Sequence, residues 1–189
     1  MKTFMGNIRI IGGTLKGRKL TCPEYGVRPT PDRVRETLFN WLQYDIQQYH
    51  CLDAFAGTGA LGIEALSRGA KSVSLWDANP NLVSYHKKII HDWDLKHIDC
   101  NQSQYPNTPP PIKKTFDLVF LDPPFNTFTL EELVTWITNH RLIHHKSIIY
   151  FEREYKPTNS TTIFQWKIIR IQKQGNVEYG LMETVDCKI

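Results

Sequence analysis

The 189-residue chain reads as an α/β fold: a mostly parallel sheet with helices on both faces, an antiparallel edge at its end and a basic β-hairpin at its start. Three observations predict this. From residue 51 to residue 152, short apolar runs alternate with amphipathic stretches, the strand–helix rhythm that builds a parallel sheet. Near the end, two β-type runs flank Gly175-Asn176, which reads as a hairpin and hence an antiparallel edge. At the beginning, glycines interrupt two short apolar segments within a strongly basic stretch. The expected organisation is a hairpin arm over residues 1–30 followed by one body over residues 31–189, compact as a whole.

In chain order, "RIIGGTLKGRKL" (residues 9–20) predicts two short strands with glycines at the turns. In "RPTPDRVRETLFNWL", Thr30 suits an N-cap, Pro31 the first helical position and Asp32 the positive end of the helix dipole. Val34, Leu38, Trp41 and Leu42 then recur at helical spacing. "CLDAF" is a buried strand, residues 59–68 a helix ended by Gly69, and "SVSLWD" a second strand. Residues 79–93 form a helix with Leu82, Ile89, Ile90 and Trp93 on one face. "HID" is a weak third strand; "FDLVFLD", entered from the loop "PNTPPPIKK", is a strong fourth. A helix over 129–139, the strand "SIIYFE", and the pair "TTIFQWKIIRIQ" and "VEYGLMETV" complete the pattern. His144-His145 is expected in a polar loop, and Tyr85, Trp93 and Trp136 in the core.

Composition narrows the function. No segment is apolar for long enough to span a bilayer or to act as a signal peptide. Cys22, Cys51, Cys100 and Cys187 are far apart and form no CxxC pair, which argues against a disulfide framework or a zinc site and for a cytoplasmic location. His86 and His91 are also at the wrong spacing for a metal pair. The net charge of +4 is unevenly spread: residues 1–35 hold eight basic and two acidic residues, against 15 and 17 in the remainder. Arg9, Lys16, Arg18, Lys19, Arg28, Arg33 and Arg35 belong to this arm, and its chemistry suits a polyanion such as nucleic acid.

"LDAFAGTGALG" (residues 52–62) has the spacing Gly-x-Gly-x-x-Gly at Gly57, Gly59 and Gly62. It follows a predicted strand and opens a predicted helix, the context in which such a loop approaches a ligand closely. Asp77 ends the next strand, 20 residues after Gly57, where a carboxylate can accept hydrogen bonds from ribose hydroxyls. NAD and S-adenosylmethionine both fit so far. Asp53 favours the second, because a carboxylate suits a methionine ammonium and suits a pyrophosphate poorly. The chain is also too short for a full dinucleotide fold with a substrate domain.

The fourth strand runs into Asp122-Pro123-Pro124-Phe125, at the strand end where open parallel sheets bind ligands. An amino group on an aromatic base is a poor nucleophile, since its lone pair is delocalised into the ring. Accepting hydrogen bonds from both amino hydrogens turns that lone pair towards an electrophile. Asp122 offers a carboxylate for this and Pro123 a carbonyl, on a backbone stiffened by two prolines. Phe125 offers a stacking face that tolerates the developing cation. The motif reads a flat amino-bearing ring; it does not say which ring.

These segments resemble a known family. "RIIGG…KGRKL", "RPTPDRVRETLFNWL", "CLDAFAGTGALGIEALSRGA" and "FDLVFLDPPF", from about residue 8 to residue 125, are similar to the RsmD family of 16S rRNA guanine-N2 methyltransferases; "YFERE" and "QGNVEYGLM" extend the likeness. The resemblance implies a Rossmann-like class I methyltransferase fold with a seven-stranded sheet and S-adenosylmethionine as cofactor. Its implied substrate is a guanine of small-subunit rRNA, methylated within the assembled particle; separately, no metal is expected and the chain is expected to act as a monomer. It places Asp53, Gly57 and Gly59 on the methionine side, Asp77 on the ribose and Asp122 to Phe125 on the target base; Phe55 is a further candidate for contact with the cofactor. The family commonly has an acidic residue where Asn101 stands, whose amide can still meet the adenine edge. An adenine or cytosine amino group is the nearest alternative substrate. A nicotinamide-dependent oxidoreductase and an RNA-binding assembly factor without chemistry are more distant ones.

Overall fold

The computed structural model describes residues 6–21, 30–107, 109–111, 114–124, 127–157, 162–163 and 165–184. The chain forms two compact units, Met1–Pro110 and Pro111–Ile189.

The first unit opens with the hairpin of β1 (Asn7–Arg9) and β2 (Lys19–Thr21), in which Arg9 stands opposite Lys19. Residues 10–18 form the turn rather than extended strand, closed by the Gly17 N–H on the Ile10 carbonyl and the Ile10 N–H on the Arg18 carbonyl. Helix α1 (Asp32–Trp41) is capped by Pro31, not by Thr30, and no side chain caps it. The Pro31 carbonyl accepts the N–H groups of Val34 and Arg35, so the helix starts one residue later than the sequence predicts. It buries Val34, Leu38 and Phe39.

β3 (His50–Asp53), α2 (Ala60–Ser67), β4 (Ser72–Asp77), α3 (Pro80–Asp92) and β5 (Ile98–Gln102) follow. Their strands are parallel in the order β5-β4-β3, with a helix in each crossover. β4 is central in this set and nearly all buried, as its apolar run "VSLW" requires. Gly62 faces it from α2: a Cβ there would lie 2.3 Å from a Leu75 methyl. The third glycine of the loop pattern therefore serves close helix–strand packing.

The hairpin is fastened to α2. Glu64, on an otherwise apolar helix, is fully buried and accepts the N–H groups of Ile11 and Gly12, each at 2.8 Å. Arg68 donates to it at 2.8 Å and the Arg35 guanidinium lies 3.5 Å away. Arg35 also donates to Asp32 and to the Arg9 carbonyl. Ser67 adds its carbonyl and hydroxyl to the N–H groups of Thr14 and Leu15, and Tyr85 donates to the Thr21 carbonyl at 2.6 Å. Only glycine fits at Gly13, where φ is +76° and a Cβ would sit 1.8 Å from the Ser67 carbonyl. Arg35, counted in the basic arm from sequence, is thus an internal tie with no exposed surface. Tyr85 and Trp93, expected in the core, are half-buried; they hold the hairpin instead, Trp93 through the Arg18 guanidinium 5.1 Å from its ring. Glu64→Gln keeps the shape and removes the charge that these donors meet. We expect it to cost about 1.5–3 kcal/mol, read as a lower urea midpoint.

The second unit contains β6 (Phe116–Leu121), α4 (Leu130–Asn139), β7 (Ile143–Glu154), β8 (Thr162–Ile163), β9 (Trp166–Gln174) and β10 (Val177–Thr184). β6 and β7 are parallel, joined through α4; Thr129 and Glu132 form a capping box at the start of that helix. β7, β10, β9 and β8 then pair antiparallel. Two differences from the expected elements have local causes. β7 starts before "SIIYFE", so His144 and His145 lie in a strand, where His144 bonds Asp117 at 3.0 Å. The expected run 161–172 is divided into β8 and β9, which pair as Thr162 with Lys167 and Ile163 with Trp166. Trp136 is buried as expected.

Candidate active site

In the first unit the glycine loop leaves the carboxyl end of β3. Gly57 and Gly59 have φ of +52° and +79°, a backbone that other residues rarely adopt. Asp77, at the end of β4, accepts the Gly57 N–H on one carboxylate oxygen and the Asn79 N–H on the other, both at 2.8 Å. It is half-buried. Asp53 is only 1% exposed and accepts the Gly62 N–H at 3.0 Å. Burial pushes its pKa from 3.8 up to about 7, with the nearby Asp77 charge adding to the rise, while N–H groups of Gly62 and Phe55 pull it down. Phe55 is half-buried within the turn.

Sequence reasoning missed His86. Its ring is buried, one nitrogen lies 3.0 Å from the Gly57 carbonyl, and the other has no hydrogen-bond partner. Burial lowers its pKa, so the neutral ring donates to Gly57 and steadies the loop. The fifth-residue interval to His91 conceals this, because the partner is a backbone carbonyl and leaves no sequence signal. Asn101 lines a cavity of about 210 Å³ with Pro80, Val83, Ser84, Lys87, Cys100 and Gln102, and its amide donates to Asp99. In the strand register it stands opposite Trp76; Gln102 is the residue opposite Asp77. The structure therefore brings Asp53, Gly57, Asp77 and His86 together and sets Asn101 on the α3 side.

In the second unit, Asp122 directly follows β6, whose residues 118–121 are fully buried. Asp122 and Pro123 are half-buried and Pro124 is exposed; Phe125 lies outside the described residues. Tyr150, paired with Phe120, donates to Glu152 at 2.7 Å. Burial and the charges of Glu152 and Asp122 push the Tyr150 phenol well above its ordinary pKa.

Of the basic residues, Arg9, Lys16, Arg18, Lys19 and Arg33 are exposed; Arg28 lies outside the described residues. Among the described residues, no helix is long and apolar enough to cross a membrane, and no cluster of three or more His, Cys, Asp or Glu side chains could hold a metal ion.

The family profile described as "Conserved hypothetical protein 95" matches residues 8–183. "Ribosomal RNA small subunit methyltransferase D" of Haemophilus influenzae is 38% identical over 188 residues, covering 94% of each chain. The Escherichia coli K12 protein of the same name is 37% identical, over 94% of this chain and 90% of its own. The chain belongs to the RsmD family. A solved structure from Escherichia coli, described as a candidate methyltransferase (yhhF), superposes with a TM-score of 0.83 at 37% identity, over 95% of this chain and 98% of its own. This RsmD-family chain accordingly has the Rossmann-like methyltransferase fold with an N-terminal antiparallel hairpin, and it is a methyltransferase.

Proposed function

We propose that this chain transfers a methyl group from S-adenosylmethionine to the exocyclic N2 of a guanine in 16S rRNA, within the assembled small-subunit particle. The observation that carries the reading is the Asp122-Pro123 pair, half-buried immediately after a strand whose last four residues are fully buried. The names of the relatives, which specify small-subunit ribosomal RNA, support the substrate.

The first unit fits the cofactor on its own geometry. Each Asp77 oxygen already accepts one N–H and retains capacity for a ribose hydroxyl. Asp53, buried and pushed up to about 7, is a carboxylate that an approaching ammonium would ionise. The positive-φ glycines let backbone rather than side chain meet the ligand. S-adenosylmethionine, when bound, supplies an electrophilic methyl on a sulfonium.

The remaining chemistry is done by the chain. Asp122 accepts one amino hydrogen and the Pro123 carbonyl the other, which fixes the amino plane and directs the nitrogen lone pair off the ring. The carboxylate then takes the proton that the nitrogen sheds as the new N–C bond replaces the methyl–sulfur bond, the donor leaving as the neutral thioether S-adenosylhomocysteine. Phe125 stacks on the base. Positioning of this kind is worth roughly 7–11 kcal/mol in favourable cases. The base must leave its stack, at a cost of a few kcal/mol that is least in a loop.

Arg9, Lys16, Arg18, Lys19, Arg28 and Arg33 hold the RNA backbone. Arg9 and Lys19 stand directly opposite each other across the hairpin and are both exposed. Like charges so placed repel, and a phosphate between them removes the repulsion. Neutralising Lys16, Arg18 and Lys19 together is expected to weaken RNA binding and flatten its salt dependence, each lost phosphate contact reducing the slope of log K by about 0.7–0.9. An unchanged slope would assign the RNA contact elsewhere.

The deciding experiment incubates the protein with methyl-labelled S-adenosylmethionine and small-subunit particles that lack the modification, then maps the label. One N2-methylguanine in 16S rRNA is the expected product. Label on an adenine or cytosine amino group would leave the amino-group chemistry and refute the guanine assignment; label on a ring carbon would refute both.

A further inference from the structure

Glu152 is a carboxylate that the motif reading does not use. It sits on β7, beside the strand that delivers Asp122. In the parallel β6–β7 register Phe120 pairs with Tyr150 and Leu121 with Phe151, so one further step brings Asp122 level with Glu152. Strand alternation puts both on the face of Tyr150. Glu152 is 7% exposed and its side chain accepts the Tyr150 hydroxyl at 2.7 Å. On its other side it pairs across β10 with Tyr179, whose hydroxyl donates to Gln172 of β9 at 2.9 Å. Asp122, Glu152, Tyr179 and Gln172 thus form a polar row across the sheet, starting at the base-handling turn.

A second carboxylate in this place is electrostatically expensive. It is mostly withdrawn from water and stands level with another acidic side chain, and a carboxylate so placed is costly unless hydrogen-bond donors meet it. A ligand that presents two neighbouring donors would relieve that cost. Guanine is such a ligand: beside its N2 amino group the ring carries N1–H. Adenine and cytosine carry an acceptor nitrogen next to their amino groups, which a carboxylate repels. Flipped bases are read by hydrogen bonds to this edge.

We infer that Glu152, oriented by the Tyr150 hydroxyl, accepts the guanine N1–H and is the residue that selects guanine over other amino-bearing bases. The inference rests on the reading of Asp122 as the amino-group acceptor. It supplies what the Asp-Pro-Pro-Phe motif lacks, since that motif recognises an amino group without its ring.

2-Aminopurine separates the two roles. It keeps the amino group of guanine but has an acceptor at N1. Small-subunit particles are reconstituted with rRNA carrying guanine or 2-aminopurine at the nucleotide the wild-type enzyme methylates. The wild type should prefer guanine by roughly ten- to a hundredfold in kcat/KM, the usual scale for one well-placed base-edge contact. In Glu152→Gln the amide can donate to an N1 acceptor, so the preference should collapse towards unity while S-adenosylhomocysteine binding, measured by calorimetry, stays unchanged. A merely structural Glu152 would lower both substrates alike; an unchanged guanine preference in Glu152→Gln overturns the inference. Tyr150→Phe keeps the carboxylate and removes its orienting donor, and is expected to reduce the preference several-fold. If Glu152→Gln fails to fold, this variant decides, and a preference equal to wild type overturns the inference. Failure of the underlying reading looks different: Asp122→Ala would then transfer methyl groups to guanine at the wild-type rate.

Discussion

Asp122→Ala is expected to lower the single-turnover rate of methyl transfer by about 10²–10³-fold or more, the scale on which one preorganised polar contact to a reacting group contributes. The affinity for S-adenosylhomocysteine should stay within about twofold of wild type. The split follows from where the residues sit. Asp77 and Asp53 accept the N–H groups of Gly57 and Gly62 at the glycine loop, whereas Asp122 directly follows β6 and its run of fully buried residues. Truncating a side chain at the end of such a strand leaves the strand itself in place. Asp122→Asn is the more informative partner variant. Its amide oxygen can still accept one amino hydrogen, but the side chain no longer carries the charge that opposes the cation forming on nitrogen. It should fall between wild type and alanine. Rapid-quench transfer of labelled methyl groups, paired with calorimetric titration of S-adenosylhomocysteine, measures both quantities. Normal turnover in Asp122→Ala would end the catalytic assignment, and a matching loss of cofactor affinity would make Asp122 a cofactor residue.

Much of this arrangement is legible in the sequence because local rules and tertiary demands agree there. β3, β4 and β6 are short, apolar and flanked by turn residues, so their burial is written in composition. Gly57 and Gly59 have the positive φ that the loop pattern requires, and Gly62 makes the close contact with β4 that its place in the pattern implies. What sequence conceals depends on long-range partners. Glu64 and Arg35 look like ordinary helix charges, yet both are completely buried, held by residues more than 25 positions away. A lone carboxylate inside "ALGIEALS" was the available signal, since burial of such a group demands donors. His86 and Tyr150 gave no comparable hint, their partners being a backbone carbonyl and a carboxylate on the same strand face. Arg35 also shows the limit of counting charge: eight basic residues in the arm are not eight contacts for RNA, because one of them is consumed in docking the hairpin.

The hairpin and the glycine loop share one scaffold. Glu64 and Ser67 on α2 hold the backbone of residues 11, 12, 14 and 15, and the same helix starts directly after Gly59 and presents Gly62 to Asp53. The basic arm is therefore anchored to the helix that opens from the glycine loop, which ties the surface proposed for RNA to the place proposed for the methyl donor within one unit.

Asp53 gives the second large effect, and its sign is fixed by the direction of its shift. In the free protein burial raises its pKa from 3.8 to about 7, so the native state holds a proton that the unfolded chain releases at lower pH. This contribution to stability is fully present below about pH 4 and is lost as pH rises through about 7, on the order of 4 kcal/mol across the window. Asp53→Asn has no proton to lose. The stability of wild type relative to Asp53→Asn should therefore fall between pH 4 and pH 8 in urea titrations of the ligand-free protein. Cofactor binding should run the other way. An ammonium or sulfonium near Asp53 favours the ionised carboxylate, so binding expels the proton, and affinity should rise with pH by up to about tenfold per unit below pH 7. Calorimetry in buffers of different ionisation enthalpy should detect up to one proton released near pH 6, and none from Asp53→Asn. Cofactor affinity that is flat from pH 5.5 to pH 7, with no proton released, would mean that Asp53 serves only the Gly62 amide and that the cation of the methyl donor lies elsewhere.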